Sequence, residues 1–332
     1  MILISFGTRP EYIKIKPLIK EFKTRIPFKL LFTGQHMDLI GNLENIETLQ
    51  IKEGQNRLDS IVVSILNQDQ IFQGIDAVLV QGDTTSAFAV ALAAFHRKIK
   101  VIHLEAGLRT YRKHDPYPEE FNRQAISRMA DIHFCPTADA ALRLSYENTE
   151  GSAYIVGNTC LDNLADLNLT PTRGNSVILT MHRRENHDKI ADWFKAFDEL
   201  AKLYQGTYIF ALMTHPNPAV QKHVGLLKHV QQCVDPMDYE PFVKLLASCA
   251  YVITDSGGIQ EEAAFLKKRT IICRKVTERT EGLGDFSVLC HEPEQLQERF
   301  ASTIKKSDPI GSCPYGDGKS SKEIVSILEK EL

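Results

Sequence analysis

The sequence predicts an α/β protein of two doubly wound, Rossmann-like domains, each a parallel sheet wrapped by helices. Three observations carry this expectation. Short apolar runs recur along the chain and stop at a turn or polar residue, helical periodicity follows most of them, and a polar segment breaks the pattern near mid-chain. Runs this apolar suit strands buried on both faces, the habit of parallel sheets covered by helices. Because 332 residues are too many for one hydrophobic core, two domains are the natural division.

In the first half the runs are Ile2–Phe6 before Gly7, Lys29–Phe32 before Gly34, Ala77–Val80 before Gly82, Val101–Leu104 before Glu105, Ile132–Cys135 before Pro136 and Tyr154–Val156 before Gly157. A first helix opens at Pro10-Glu11 and carries Ile13, Ile15, Leu18, Ile19 and Phe22 as its apolar stripe. Asn168–Ser176 reads as an interdomain linker, which sets a first domain over residues 1–167 and a second over 168–318. The second half repeats the phrase with Val177–Met181, Tyr208–Met213, Tyr251–Thr254, Thr270–Cys273 and Ser287–Cys290. Ile324, Ile327 and Leu328 make the tail an amphipathic helix that needs a surface to dock on. Residues 319–332 are expected to complete the first domain.

Composition narrows the class of function. Hydrophobic residues at 43% and charged residues at 24% are ordinary for a soluble globular chain. A net charge of -3 supplies no basic field for gripping nucleic acid. The apolar stretch around Ala87–Phe95 falls short of the roughly 20 residues of a membrane span, and the N-terminus has no signal-peptide pattern. The seven cysteines form no Cys-x-x-Cys pair and the eleven histidines no His-Glu-x-x-His, so no disulfide framework and no bound metal are expected. No Gly-x-Gly-x-x-Gly follows the first strand, and Gly316-Asp317-Gly318-Lys319-Ser320 mimics a P-loop without its first glycine or its strand. The expected location is the cytoplasm, with neither a nucleic-acid nor a membrane partner.

Chemistry gathers where the runs end, the place where doubly wound folds bind ligands, and two such domains are expected to share a crevice. Phe6-Gly7-Thr8-Arg9-Pro10-Glu11 combines a glycine turn, an arginine and a helix start, the ingredients of an anion site. In Gln81-Gly82-Asp83-Thr84-Thr85, Asp83 reads first as the N-cap of a helix beginning near Ser86, and second as a general base. Glu105 closes a buried run, which costs free energy unless the carboxylate is paired or used. Glu119 and Glu120 follow Pro118 at a helix start, where acidic side chains also complement the dipole. His103 reads as a packed strand histidine. In the second half, His182-Arg183-Arg184 suits an anionic ligand, and Asp255-Ser256-Gly257-Gly258 leads into a helix as a phosphate cradle. Glu262 is placed to accept hydrogen bonds from a ribose diol, and Arg279 adds a cation beyond the next strand.

Taken together, Gly7-Thr8-Arg9-Pro10-Glu11, Gly82-Asp83-Thr84-Thr85, Glu105–Thr110, Pro118-Glu119-Glu120 with Asn122-Arg123, His182–Glu185, Asp255–Glu262, Thr277-Glu278-Arg279 and Pro314–Gly318 closely resemble the non-hydrolysing UDP-N-acetylglucosamine 2-epimerases, nearly end to end. The resemblance implies the GT-B architecture, a homodimer, no cofactor, and reversible C2 epimerisation of UDP-GlcNAc to UDP-ManNAc by anti elimination and re-addition of UDP, in the service of cell-surface polysaccharide synthesis. It implies Asp83, Glu105, Glu119 and His182 as catalytic residues. Arg9, Lys14, Met237, Phe242, Ser256, Gly257, Gly258, Glu262 and Arg279 are implied as contacts to the UDP-sugar. A second, activating UDP-GlcNAc in some members would involve Gln35, His36 and His215. Here Gly54 stands where an arginine of that site would align, although Arg57 is close. Further departures are a shorter chain, Thr280 and Gly282 for the usual proline and alanine, and His187-Asp188-Lys189 for a glycine-containing turn. The alternatives are the same chemistry on a UDP-diacetamido-glucuronate, a hydrolysing epimerase, a GT-B glycosyltransferase, or a non-catalytic nucleotide-sugar sensor.

Overall fold

The structure is a computed structural model that describes residues 1–34, 46–215 and 217–332. Gln35 and His36 lie outside the described residues. The chain divides into two compact units, Met1–Asn163 with Gly318–Leu332, and Leu164–Asp317. Among the described residues each unit holds one all-parallel sheet.

The first unit contains β1 (Ile2–Phe6), β2 (Phe28–Phe32), β3 (Ile46–Thr48), β4 (Ala77–Gln81), β5 (Lys100–Leu104), β6 (Ile132–Cys135) and β7 (Ser152–Ile155), ordered β3-β2-β1-β4-β5-β6-β7. Alternation along the strands sends Ile2, Ile4, Phe6 and Leu79 to one face, against Ile15, Leu18 and Phe22 of the helix Arg9–Phe22. It sends Leu3, Val78 and Val80 to the other, against the helices Arg57–Leu66 and Thr85–His96. With both faces covered, the central strands have no solvent side, which is why they read as unbroken apolar runs, whereas the edge strands β3 and β7 are largely exposed. The terminal helix Ser320–Glu331 lays Ile324, Val325 and Leu328 into the first of these faces. Asp162 caps it by accepting from the Ser320 and Ser321 N–H groups at 3.1 and 2.6 Å. A carboxylate therefore sits where the P-loop mimic would have held a phosphate.

The second unit contains β8 (Ser176–Thr180), β9 (Ile209–Met213), β10 (Gln232–Val234), β11 (Tyr251–Thr254), β12 (Arg269–Ile272) and β13 (Ser287–Leu289), ordered β10-β9-β8-β11-β12-β13. Val177, Leu179, Phe210 and Ile253 pack with Trp193, Phe194, Phe197 and Phe300, from the helices Ile190–Leu203 and Leu296–Thr303. Ile178 and Val252 pack with Val243, Leu246 and Ala263, from the helices Tyr239–Ser248 and Gly257–Phe265.

The sheets differ from the sequence expectation at their margins. β3 and β10 were not anticipated, because each is three residues long and largely exposed, so it lacks the buried apolar run that marks a central strand. The segment 168–176 is a fixed part of the second unit rather than a loose tether. Thr172 N–H donates to Ala247 O, Gly174 N–H to Ser248 O, and Lys268 Nζ to both Thr172 O and Cys249 O. The division falls earlier, inside the helix Cys160–Asp166, because Leu164, Leu167 and Leu169 join the second unit's core.

Candidate functional site

Strand order in the first unit reverses between β1 and β4, the position where doubly wound sheets take ligands. Thr8 caps the helix Arg9–Phe22, with Pro10 in its first turn, and Arg9 is exposed there. After β4, Thr84 caps the helix Thr85–His96 by accepting from Ala87 N–H at 3.0 Å. The N-cap reading of Asp83 is thus corrected: the neighbouring threonine fills that position, and the Asp83 side chain is left for other contacts. Arg123 Nε and Nη2 hold its Oδ2 at 2.8 and 2.7 Å, and Asn122 donates to its backbone carbonyl at 2.8 Å.

Glu105 follows β5, next to β4 in the sheet. Its φ of 66° puts a non-glycine residue in the left-handed region, a conformation that persists only when its surroundings enforce it. Lys14 Nζ and Gln81 Nε2 each donate to Oε2 at 2.5 Å, and Asn158 Nδ2 donates to Oε1 at 3.0 Å. Lys14, expected beside the nucleotide, is here a partner of the carboxylate. Glu119 and Glu120 separate clearly. Glu120 is fully buried and accepts from the N–H groups of Thr110 and Tyr111, from Arg123 and from Gln124, which together hold its carboxyl below the usual range against the opposing pull of burial. Glu119 is half-buried, on the same helix that binds Asp83 through Asn122 and Arg123. The structure thus brings Asp83 and Glu105 to adjacent strand ends and bonds the Glu119 helix to the Asp83 loop. His103 is fully buried, and its Nε2 lies 2.8 Å from Gly82 O. A carbonyl only accepts, so Nε2 carries the proton.

The second unit reverses between β8 and β11. Asp255, fully buried after β11, accepts from the N–H groups of His182 and Arg183 at 3.0 and 2.8 Å and from Asn186 Nδ2 at 3.1 Å. One carboxylate therefore pins the whole loop after β8. The His182 ring stacks on His215, with centroids 5.2 Å apart and planes 15° from parallel. Burial pushes the His182 imidazole down from its usual pKa, with Asp255 opposing the shift, so the ring is neutral near pH 7. Both histidines line a slot of about 170 Å³ together with Thr180, Met237, Phe242 and Ile259. His215 therefore shares the His182 pocket.

Ser256 caps the helix Gly257–Phe265. Of the two glycines, Gly257 has an internal reason, since a Cβ there would stand 2.4 Å from Arg279 Nη1. At Gly258 the nearest atom would be 4.0 Å away, so the chain itself leaves that space open at the helix start. Glu262, on the same helix, is buried. Arg279 pairs with Glu261 and Glu278, and Arg274, wholly buried, bridges Glu278 at 3.0 Å to Glu185 at 2.6 Å. Tyr315 joins in, accepting from Gly282 N–H at 3.1 Å and donating to Arg279 O at 3.1 Å.

Several of these partners escaped the sequence reading. Arg123 falls three and four residues after the two glutamates, the spacing of helix neighbours, and that signal was available. Glu11 completes a Thr-x-x-Glu capping box after Thr8, also a readable pattern. Asn158 and Tyr315 reach their partners, and Arg274 its Glu185, only through tertiary folding.

Two Rossmann-like units, each with polar loops and a helix start at the reversal of its sheet, place the chain among the two-domain doubly wound α/β proteins. The family model described as UDP-N-acetylglucosamine 2-epimerase matches residues 20–329. The chain is 36% identical, over an alignment of 369 residues covering 99% of both proteins, to the UDP-N-acetylglucosamine 2-epimerase of Neisseria meningitidis serogroup A. To the enzyme of that name from Bacillus subtilis it is 34% identical over 363 residues, 98% of this chain and 94% of the relative. The crystal structure of the Neisseria meningitidis UDP-GlcNAc 2-epimerase bound to UDP-GlcNAc superposes with a TM-score of 0.89 at 34% identity, covering 99% of each chain. The protein belongs to the UDP-N-acetylglucosamine 2-epimerase family.

Proposed function

We propose that the protein interconverts UDP-GlcNAc and UDP-ManNAc without hydrolysing either. The observation that carries the reading is the pair of carboxylates, Asp83 beside the switch point of the first sheet and Glu105 at the adjacent strand end, each oriented by its own donors. Family membership and the relatives' names add the substrate.

The C2 hydrogen of the sugar is not acidic, so its loss must be coupled to departure of a good leaving group. As a carboxylate takes the proton, the C2–H electron pair becomes the C1=C2 bond and the C1–O bond breaks, releasing UDP. An acid on the opposite face returns a proton to C2, and the diphosphate oxygen adds back to C1. Asp83, Glu105 and Glu119 supply the acid and base groups. UDP carries its charge away and needs fixed donors. Those proposed are Arg9, the Ser256-Gly257-Gly258 helix start, neutral His182 and Arg279. A cavity of about 150 Å³ holds a benzene ring, so the slot lined by Met237 and Phe242 is of the size for one uracil ring, and Glu262 is proposed to meet the ribose.

Proton NMR of the protein with UDP-GlcNAc in deuterated water tests this. UDP-ManNAc carrying deuterium at C2 is the expected product. Free ManNAc with UDP would replace the reading by hydrolysis, and an unchanged spectrum would remove this sugar as substrate.

A further inference from the structure

Glu11 is a carboxylate that neither the proposed chemistry nor the sheet's packing uses, yet it is 2% exposed. Buried carboxylates are ordinarily paired with a cation. Glu11 has none among the described residues: its partners are Gly7 N–H at 3.1 Å and Thr8 Oγ1 at 2.6 Å on Oε2, and Thr84 Oγ1 at 2.8 Å on Oε1. Gly7 and Thr8 follow β1, whereas Thr84 follows β4, so this one side chain joins the two loops that flank the switch point. Asp83 is the residue before Thr84. Three residues beyond Glu11, on the same helix, Lys14 binds Glu105 after β5. The start of one helix thereby touches the surroundings of two of the three carboxylates proposed for proton transfer, Asp83 and Glu105.

Resting on that reading, we infer that Glu11 is a positioning residue for the C2 proton transfer: its side chain ties the loop after β1 to the loop carrying Asp83 and fixes the latter's height above the sheet. Burial raises the Glu11 carboxyl above its usual range, and the nearby Asp83 charge adds to this. The tie does not need the negative charge. Oε2 accepts from the Gly7 N–H, while at Oε1 the Thr84 hydroxyl can either give or take a hydrogen bond. A glutamine keeps both links.

The test follows the rate of deuterium uptake at C2 of UDP-GlcNAc, with UDP affinity measured by calorimetry. Glu11→Ala is expected to slow uptake about 10- to 100-fold, the cost of displacing a reacting group by about 1 Å, while UDP affinity stays within about threefold. Glu11→Gln is expected to restore uptake to within about fivefold of wild type, because the links rather than the charge matter. Thr84→Ala and Thr84→Ser form a second pair should Glu11→Ala fail to fold: alanine removes the link and slows uptake, and serine keeps it. The inference is overturned if the alanine variants exchange at the wild-type rate, if UDP affinity falls in step with uptake, or if Glu11→Gln is as slow as Glu11→Ala. Wild-type protein that takes up no deuterium would sink the functional reading and this inference with it. A wild type that exchanges beside unaffected alanine variants sinks the inference alone.

Discussion

At the scale of single residues, the buried polar groups carry consequences that the apolar core does not. His103 is wholly enclosed, and burial pushes its imidazole down from 6.5 to about 3, with the Gly82 carbonyl opposing. In the unfolded chain the same group protonates near its ordinary value. Stability from this residue is therefore fully present above pH 6.5 and is lost as pH falls from 6.5 toward about 3, because only the unfolded state takes up the proton. Between pH 7 and pH 5 the loss is about 2 kcal/mol. Urea titrations at those two pH values should show that loss in the wild type and a smaller one in His103→Gln, which keeps a donor to Gly82 O but cannot titrate. Equal pH dependence in both would mean that His103 is not neutral when folded. Residues were legible in the sequence to differing degrees. Glu105 was marked by its place after a buried run, and Glu119 and Glu120 by their helix start. What separates Glu120 from Glu119 is the pair of backbone donors that folding delivers, Thr110 and Tyr111, which no spacing in the chain announces, whereas Gln124 is a helix neighbour four residues on.

At the scale of elements, the two glycines opening the helix Gly257–Phe265 make a sharp contrast. An added Cβ at Gly257 meets the Arg279 guanidinium, which its bonds to Glu261 and Glu278 prevent from stepping aside. Gly257→Ala should cost about 1–3 kcal/mol in urea unfolding, the usual penalty of overpacking. Gly258→Ala meets nothing within the chain and should be neutral or stabilising by up to about 1 kcal/mol, since alanine favours the helix. If Gly258 is open to admit a diphosphate, the same variant should bind UDP at least about tenfold more weakly, a loss of about 1.4 kcal/mol. Unchanged UDP affinity in Gly258→Ala would take the phosphate away from this helix start. The elements themselves were largely readable because both faces of each sheet are covered and apolar runs mark central strands directly. β3 and β10 were not, since an exposed edge strand of three residues has no such run. Both helices begin a residue or two before the positions the sequence suggests, because a threonine supplies each cap.

At the scale of the whole molecule, two sheets of the same winding lie in one chain, and the chain returns at its end to complete the first. The terminal helix buries Ile324, Val325 and Leu328 completely, so Leu328→Ala should lower the first unit's stability by about 2–5 kcal/mol. A loss below about 1 kcal/mol in urea unfolding would show that this helix is only loosely part of that core. The return was foreseeable from an amphipathic tail that needs a surface, whereas the true break inside the helix Cys160–Asp166 was hidden, because a polar stretch looks like a linker even when its backbone is tied down. The functional account stands or falls on whether the C1–O bond of the sugar breaks and re-forms. UDP-GlcNAc labelled with oxygen-18 in the bridge between C1 and the β-phosphorus tests this most directly. Departure and return of UDP predict that, in recovered substrate and product, label appears in the non-bridging oxygens of the β-phosphate. Label that stays wholly in the bridge while UDP-ManNAc accumulates would contradict the account.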